Sequence, residues 1–312
     1  MQQTITVNRM PCPTWQRLQV NQTTLPWDDS APVFRRILRM QEAGLLSVQI
    51  KNDPPYATRR YTLHAQPDTQ HTVCFFCTPG APLRFTLSLT LEKNASVRVL
   101  QLLAPASNAS LVQTLTARCA ENARLSLYTV LLGAGSVYTD THILLQGDRS
   151  AFAAQVGYLY TAAQTLDMNF AVIQSGKQTD CNIEAAGALA GTAQKIFRGT
   201  IDFKRGCTDS AASEHETVLL LSDSACSKTV PVLLCAEENV QGSHGATVGT
   251  TDEQMLLFFA SRGIPRAVAL QLLCHAGIKQ VLRAAQEDIF TQAVLSALTD
   301  AAPPEGEPDA KL

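Results

Sequence analysis

The sequence predicts a mainly β protein, built either as a sandwich or as a solenoid of stacked β-coils, with helical segments at its two ends. Three observations point there. From about Tyr61 to Val248, apolar residues recur at every second position, as in Phe85-Thr86-Leu87-Ser88-Leu89-Thr90-Leu91 and Thr200-Ile201-Asp202-Phe203-Lys204. That is the period of strands whose alternate side chains enter a core. Small polar turn signals interrupt the runs, and Asn94-Ala95-Ser96, Asn122-Ala123-Arg124 and Asp148-Arg149-Ser150 recur about every 27–28 residues, within the range of repeat architectures. After Gly249 the apolar spacing becomes helical. A doubly wound α/β fold is not expected, because its crossovers require amphipathic helices between the strands.

In chain order, residues 1–60 form an N-terminal segment with short helices. Prolines set its entry in Met10-Pro11-Cys12-Pro13, and Thr14 suits a helix N-cap. Trp15, Leu18 and Trp27 offer an apolar anchor, and the spaced apolar residues from Phe34 to Leu46 predict a second helix. Residues 61–250 are the β core. Residues 251–300 are a helical subdomain: one helix runs from Asp252 to Arg262 and stops at Gly263, a natural C′ residue. A second starts at Ile264-Pro265 and runs towards Val281, and a third covers Glu287 to Leu298. The proline-rich acidic tail, 301–312, is expected to be disordered.

Bulk composition removes several function classes. The charged fraction of 17% is low, and a formal net charge of −2 with scattered basic residues leaves no electrostatic footprint for nucleic acid. No apolar run approaches the ~18–20 residues of a membrane span, and Met1-Gln2-Gln3-Thr4 lacks the parts of a signal peptide, which predicts a cytoplasmic protein. Its 9 cysteines, an odd set, are then expected as reduced thiols. The close pair Cys74 and Cys77 lacks the second pair that a zinc ribbon needs, so both are expected to be buried beside a strand. There is no Gly-x-x-x-x-Gly-Lys-Ser/Thr segment, so ATP hydrolysis would fall to another subunit. Asp140, Asp148, Asp167 and Glu184 sit singly near strand ends, which argues against a carbohydrate-active enzyme on a β-solenoid.

The informative stretch begins at Asp209-Ser210-Ala211-Ala212-Ser213-Glu214-His215-Glu216-Thr217-Val218-Leu219-Leu220-Leu221-Ser222 and passes through Pro231-Val232-Leu233-Leu234. It continues as Gly242-Ser243-His244-Gly245-Ala246-Thr247-Val248-Gly249, then a helix closing in Ser261-Arg262-Gly263. This order resembles the end of the SufB/SufD family of iron–sulfur cluster assembly proteins. The resemblance is close over about the last hundred ordered residues and extends weakly to Pro13-Thr14-Trp15 and Leu18-Gln19-Val20-Asn21.

The resemblance implies a right-handed parallel β-helix with helical ends. It implies a non-enzymatic scaffold subunit that works beside a SufB-like partner and a SufC-like ATPase. The family's C-terminal helices dock on the ATPase, which makes Phe258, Phe259, Arg262 and Gly263 candidate partner contacts. Its last coils pair with the sister subunit, with a homodimer of the isolated chain as the alternative assembly. A transient iron–sulfur cluster shared with SufB is the implied cargo, none being held tightly by this chain alone.

Glu216 stands where SufB-like members are aligned with a cysteine, and Gly245 follows the histidine where they carry glutamate. Both favour the SufD branch over a sole SufB-like scaffold of a reduced system. His244 is the candidate metal ligand, since a neutral imidazole binds iron. Many SufD relatives carry a cysteine where this chain has Gly242, so thiol donors would come from SufB or from a substitute such as Cys235. Cys207, Cys226 and Cys235 are nonetheless expected to be buried. His215 and Glu216 are neighbours on a strand and should face opposite sides, not one site.

Overall fold

The computed structural model describes residues 4–14, 16–27, 33–38, 44–51, 57–251 and 253–300. An antiparallel hairpin of β1 (Thr4–Val7) and β2 (Thr23–Pro26) comes first. There follow β3 (Val33–Leu38), β4 (Gly44–Lys51), β5 (Ala57–Ala65), β6 (Gln70–Thr78), β7 (Leu83–Leu91), β8 (Ser96–Leu103), β9 (Ser110–Cys119) and β10 (Arg124–Leu131). The series continues with β11 (Ser136–Leu145), β12 (Ala151–Tyr160), β13 (Thr165–Gln174), β14 (Asp180–Leu189), β15 (Gln194–Phe203), β16 (Ser210–Leu220), β17 (Cys226–Cys235) and β18 (Val240–Thr250). Four helices close the chain: α1 (Glu253–Ala260), α2 (Arg266–Cys274), α3 (Ala276–Ala285) and α4 (Asp288–Asp300).

From β3 onward the odd strands form one 8-stranded sheet and the even strands another, with each strand paired in parallel to the strand two places along. Each coil therefore contributes one strand to each sheet, which is a parallel β-helix. The periodic turns seen in the sequence join the odd sheet to the even sheet once per coil. Asp68, Asn94, Asn122, Arg149, Gln178 and Asp209 all have φ between 55° and 62°. Asn and Asp tolerate this left-handed backbone better than most residues. Stacked in register they also bond to one another: Asn94 donates to Asp68 at 2.6 Å, Asn122 to Asn94 at 3.0 Å, and Arg149 to Asn122 at 2.8 Å.

Alternation then sorts the side chains. Inward residues such as Val73, Phe75, Cys77, Phe85, Leu127 and Phe152 form one continuous core between the sheets. Outward residues of the even sheet, including Cys74, Phe76, Leu100 and Val130, pack under Ile278, Val281, Phe290 and Val294 of α3 and α4. Cys74 and Cys77 are both buried but on opposite faces of β6, so they share no site.

The odd sheet is covered differently. The hairpin lays Val7 and Trp27 on Val112 and Tyr138, and a fully buried ion pair holds it down. Arg198 on β15 donates to Asp167 on β13 and to the Val20 carbonyl. Asn8 donates to Asp167 Oδ1 at 2.7 Å, and Thr23 donates to its other carboxylate oxygen. Asp167 is thus a buried anchor, not an isolated carboxylate at a strand end.

The N-terminal helices need correction. The segment predicted as a helix from Phe34 to Leu46 supplies β3 and β4, because Leu46, Val48 and Ile50 alternate and pairing to β5 and β6 extends both sheets. Tertiary pairing overrides the local pattern there, and the coils begin at Val33 instead of residue 61. The helix expected after Thr14 shrinks to a 3-10 turn, Gln16–Leu18. The Thr14 N–H and hydroxyl instead donate to Asn21 Oδ1, at 2.7 and 3.1 Å, which ties a loop shut. Trp27 is buried while Leu18 is exposed, so they form no common anchor, and Trp15 lies outside the described residues. At the other end, the single helix predicted up to Val281 divides at His275 into α2 and α3, and residues 301–312 lie outside the described residues.

Candidate functional site at the open end of the coil

β17 and β18 are the last strands of their sheets, so each has one edge whose backbone groups meet no further strand among the described residues. The inward column of the even sheet shows the consequence. On β16, Ala212, Glu214, Glu216 and Val218 are buried; their register partners on β18, Gly242, His244, Ala246 and Val248, are exposed. The same inward phase that fills the core of earlier coils presents its side chains at an uncovered end of the core.

His244 lies there, beside Glu214 in register. Glu214 reaches across the interior onto Gly199, where any Cβ would overlap the carboxylate. Burial and the charge of Glu216 push the Glu214 carboxyl up to about 8, so it keeps its proton at neutral pH. Glu216 is held by three donors: Lys195 Nζ at 2.6 Å, the Thr229 hydroxyl at 2.6 Å and the Tyr158 hydroxyl at 3.1 Å. Burial lowers the pKa of Lys195 while Glu216 opposes the change. The sequence contained the signal for this cluster: Lys195 occupies the apolar phase of Lys195-Ile196-Phe197-Arg198-Gly199-Thr200-Ile201, where a charge requires an internal partner.

As alternation required, His215 is exposed on the outside while Glu216 is buried inside. The cysteines divide. Cys207 is buried, but Cys226 and Cys235 are exposed, against expectation, because both lie on the terminal strand β17. Cys235 does not stand in for a thiol at position 242. A side chain at Gly242 would meet Leu233 at 3.3 Å, so the opposing strands place His244 across from Pro231. Cys235 is four residues farther along, roughly 13 Å at the strand rise. Among the described residues, no three His, Cys, Asp or Glu side chains converge as a group able to hold a metal.

The helices that follow carry an apolar surface. Leu256 of α1 is buried, whereas Met255, Leu257 (71%) and Phe258 (53%) are exposed. The Arg262 guanidinium sits 3.5 Å from the centre of the Phe258 ring, and Phe259 meets Phe258 edge-on at 6.2 Å. Gly263, at φ 72°, ends the helix by donating to the Ala260 carbonyl, and Pro265 starts the next. Phe258, Phe259, Arg262 and Gly263 therefore belong to one helix end, and its exposed apolar residues form a patch of the kind that marks protein interfaces. No helix among the described residues is long and apolar enough to cross a membrane.

Comparison with known proteins gives a consistent assignment. A family model described as the SUF system FeS cluster assembly SufBD core domain matches residues 49–277. The chain is 28% identical over 152 residues to the iron–sulfur cluster assembly protein SufD of Bacillus subtilis, covering 49% of this chain and 35% of that protein. SufD of Escherichia coli matches at 28% over 103 residues, covering 33% and 24% respectively. A chloroplastic SufBD family protein of Arabidopsis thaliana matches at 24% over 166 residues, covering 52% and 29%. The chain thus spans about a third or less of the length of these relatives.

Proposed function

The chain belongs to the SufBD core family of the SUF iron–sulfur cluster assembly system, and from that premise we propose that it is a SufD-like scaffold subunit. It works beside a SufB-like subunit and a SufC-like ATPase and performs no hydrolysis itself. The observation that carries this is the uncovered last coil. Two free strand edges flank an exposed inward column containing His244, the arrangement that another coil-bearing subunit would complete by β-pairing and core-to-core contact. The apolar end of α1, with Phe258, Phe259, Arg262 and Gly263, is the docking surface for the ATPase.

His244 is one donor to a cluster that is cargo and not a resident cofactor. With Gly242 lacking a thiol and Cys235 out of reach, the remaining donors come from the partner. The sole-scaffold alternative is weaker, because the Glu216 carboxylate is consumed inside the core by Lys195, Thr229 and Tyr158. A carbohydrate-active enzyme needs converging carboxylates. Here Asp140 pairs with His142, Asp148 accepts the Lys177 N–H, and Asp167 is buried with Arg198, each already engaged by a partner.

Co-purification with SufB-like and SufC-like partners, followed by anaerobic iron and sulfide analysis, tests the proposal. A stable three-component complex that carries cluster only with the SufB-like subunit present is expected. Failure to associate with either partner would overturn it. Within a complex, His244→Ala should lower cluster yield; an unchanged yield removes His244 from the ligand set.

A further inference from the structure

Outside the coil, on the face opposite the buried cluster, α3 and the even sheet enclose a cleft of about 320 Å³. Its shape follows from two close approaches. Gly277 of α3 rests on the Ala186 backbone, where a Cβ would overlap the carbonyl, and Gly157 of β12 leaves room for Ile278. One turn further along α3, Gln280 stands over the polar residues of β14 and β16. The floor is a register row running across the strands, from Gln155 to Glu184 to His215 to Gly245.

Glu184 is held from three directions. Gln155 donates to it from the neighbouring strand at 3.1 Å, Asn182 from its own strand at 3.3 Å, and Gln280 from the helix at 3.2 Å. Neutral amide donors fix the carboxylate without neutralising it; among the described residues no cation pairs with Glu184. Beside it, the imidazole of His215 is exposed and has no hydrogen-bond partner among the described residues. It keeps that freedom because the next residue in the row is glycine: a Cβ at position 245 would stand 2.9 Å from His215 Nδ1.

We propose that Glu184 and His215 form an open binding site for a hydrated first-row divalent cation. A carboxylate oriented by outer hydrogen bonds, next to an unengaged imidazole, is the donor pair such ions favour. The Ser213 and Thr217 hydroxyls on the same wall offer oxygen donors, and water fills the remaining positions. Two strong protein donors make a site that loads and releases its ion, unlike the closed four-ligand sites that serve structure. Identifying the natural ion as ferrous iron delivered to the assembly rests on the function proposed above; the site itself does not.

Cobalt(II) titration of the full chain, followed by visible absorption, provides the test. The wild type should bind one ion per chain with d–d bands, and His215→Ala should weaken binding at least tenfold. Glu184→Gln should do the same, Gln280→Ala should weaken it about tenfold by loosening the carboxylate, and His64→Ala, in an exposed pair with Glu92 on a distant coil, should leave it unchanged. His215 is exposed, so its variant tests the site without risk to the fold. No binding by the wild type at millimolar cobalt, equal binding by the His215 and Glu184 variants, or loss only in His64→Ala would each overturn the proposal. Cobalt binding at this pair by a chain that fails to co-purify with its partners would separate the outcomes: the site would stand and the assembly role would fall.

Discussion

Val218 and Val248 are register partners in one inward column, yet the first is 2% exposed and the second 51%. Their backbones, side chains and phase are equivalent; only the coil beyond them differs. Glu214 and His244 repeat the contrast two inward positions away, a buried carboxyl beside an exposed imidazole. In a solenoid, inward direction is set by strand alternation, whereas burial is supplied by the next coil. The last coil is therefore a piece of core without its cover, and the middle coils show what a cover would look like.

The largest difference should come from charge. Lys195→Met strands Glu216 without its cation in the closed interior and should cost about 3–5 kcal/mol in urea unfolding. Lys228→Met, on the exposed outer face of the terminal strand, should be within about 0.5 kcal/mol of the wild type. Equal midpoints for the two variants would break the distinction between closed and open coils.

The valine pair sharpens it further. Val218→Ala should cost about 2 kcal/mol. Val248→Ala should cost less than about 0.5 kcal/mol in the isolated chain but weaken retention of the proposed SufB-like partner. Comparable destabilisation of the isolated chain by both would mean that the final column is already covered.

Glu214 supplies a pH signature. Its folded pKa of about 8 lies above the ordinary carboxylate value of 4.5, so the folded state retains a proton that the unfolded chain releases. The stabilisation is complete below about 4.5, declines as pH rises towards 8, and changes no further above that. Glu214→Gln should remove this decline, so its stability relative to wild type should increase from pH 5 to pH 8.5. Parallel pH profiles from urea titrations would exclude a buried, protonated Glu214.

The smallest effect is a labelling pattern. Cys12, Cys226 and Cys235 should react rapidly with a thiol reagent in the native protein, and the other six only on unfolding. Burial pushes Cys119 up to about 12, removing its thiolate at neutral pH. Rapid labelling of Cys119 or Cys181 would show that the middle coils open.

The alternating pattern, the periodic Asn and Asp turns and the glycine-stopped helix before Gly263 were all legible in the sequence, because each depends on a few neighbouring residues. The Ser243-His244-Gly245 segment likewise carried the resemblance to the SufB/SufD family, and the family match over residues 49–277 includes it. The strands at 33–38 and 44–51 were not legible, since their apolar spacing is ambiguous locally and pairing with β5 and β6 decides it. Nor were the associations of Asp167 with Arg198, Lys195 with Glu216, or Glu184 with His215. Their members lie 21 to 31 residues apart; the first and third pairs meet because one coil returns the chain to its own edge, and Lys195 meets Glu216 across the interior between the two sheets. Sequence by itself determined which side chains face inward and where the chain turns, through local backbone preference. Tertiary structure alone decided which inward residues are buried, because burial depends on whether another coil lies beyond them.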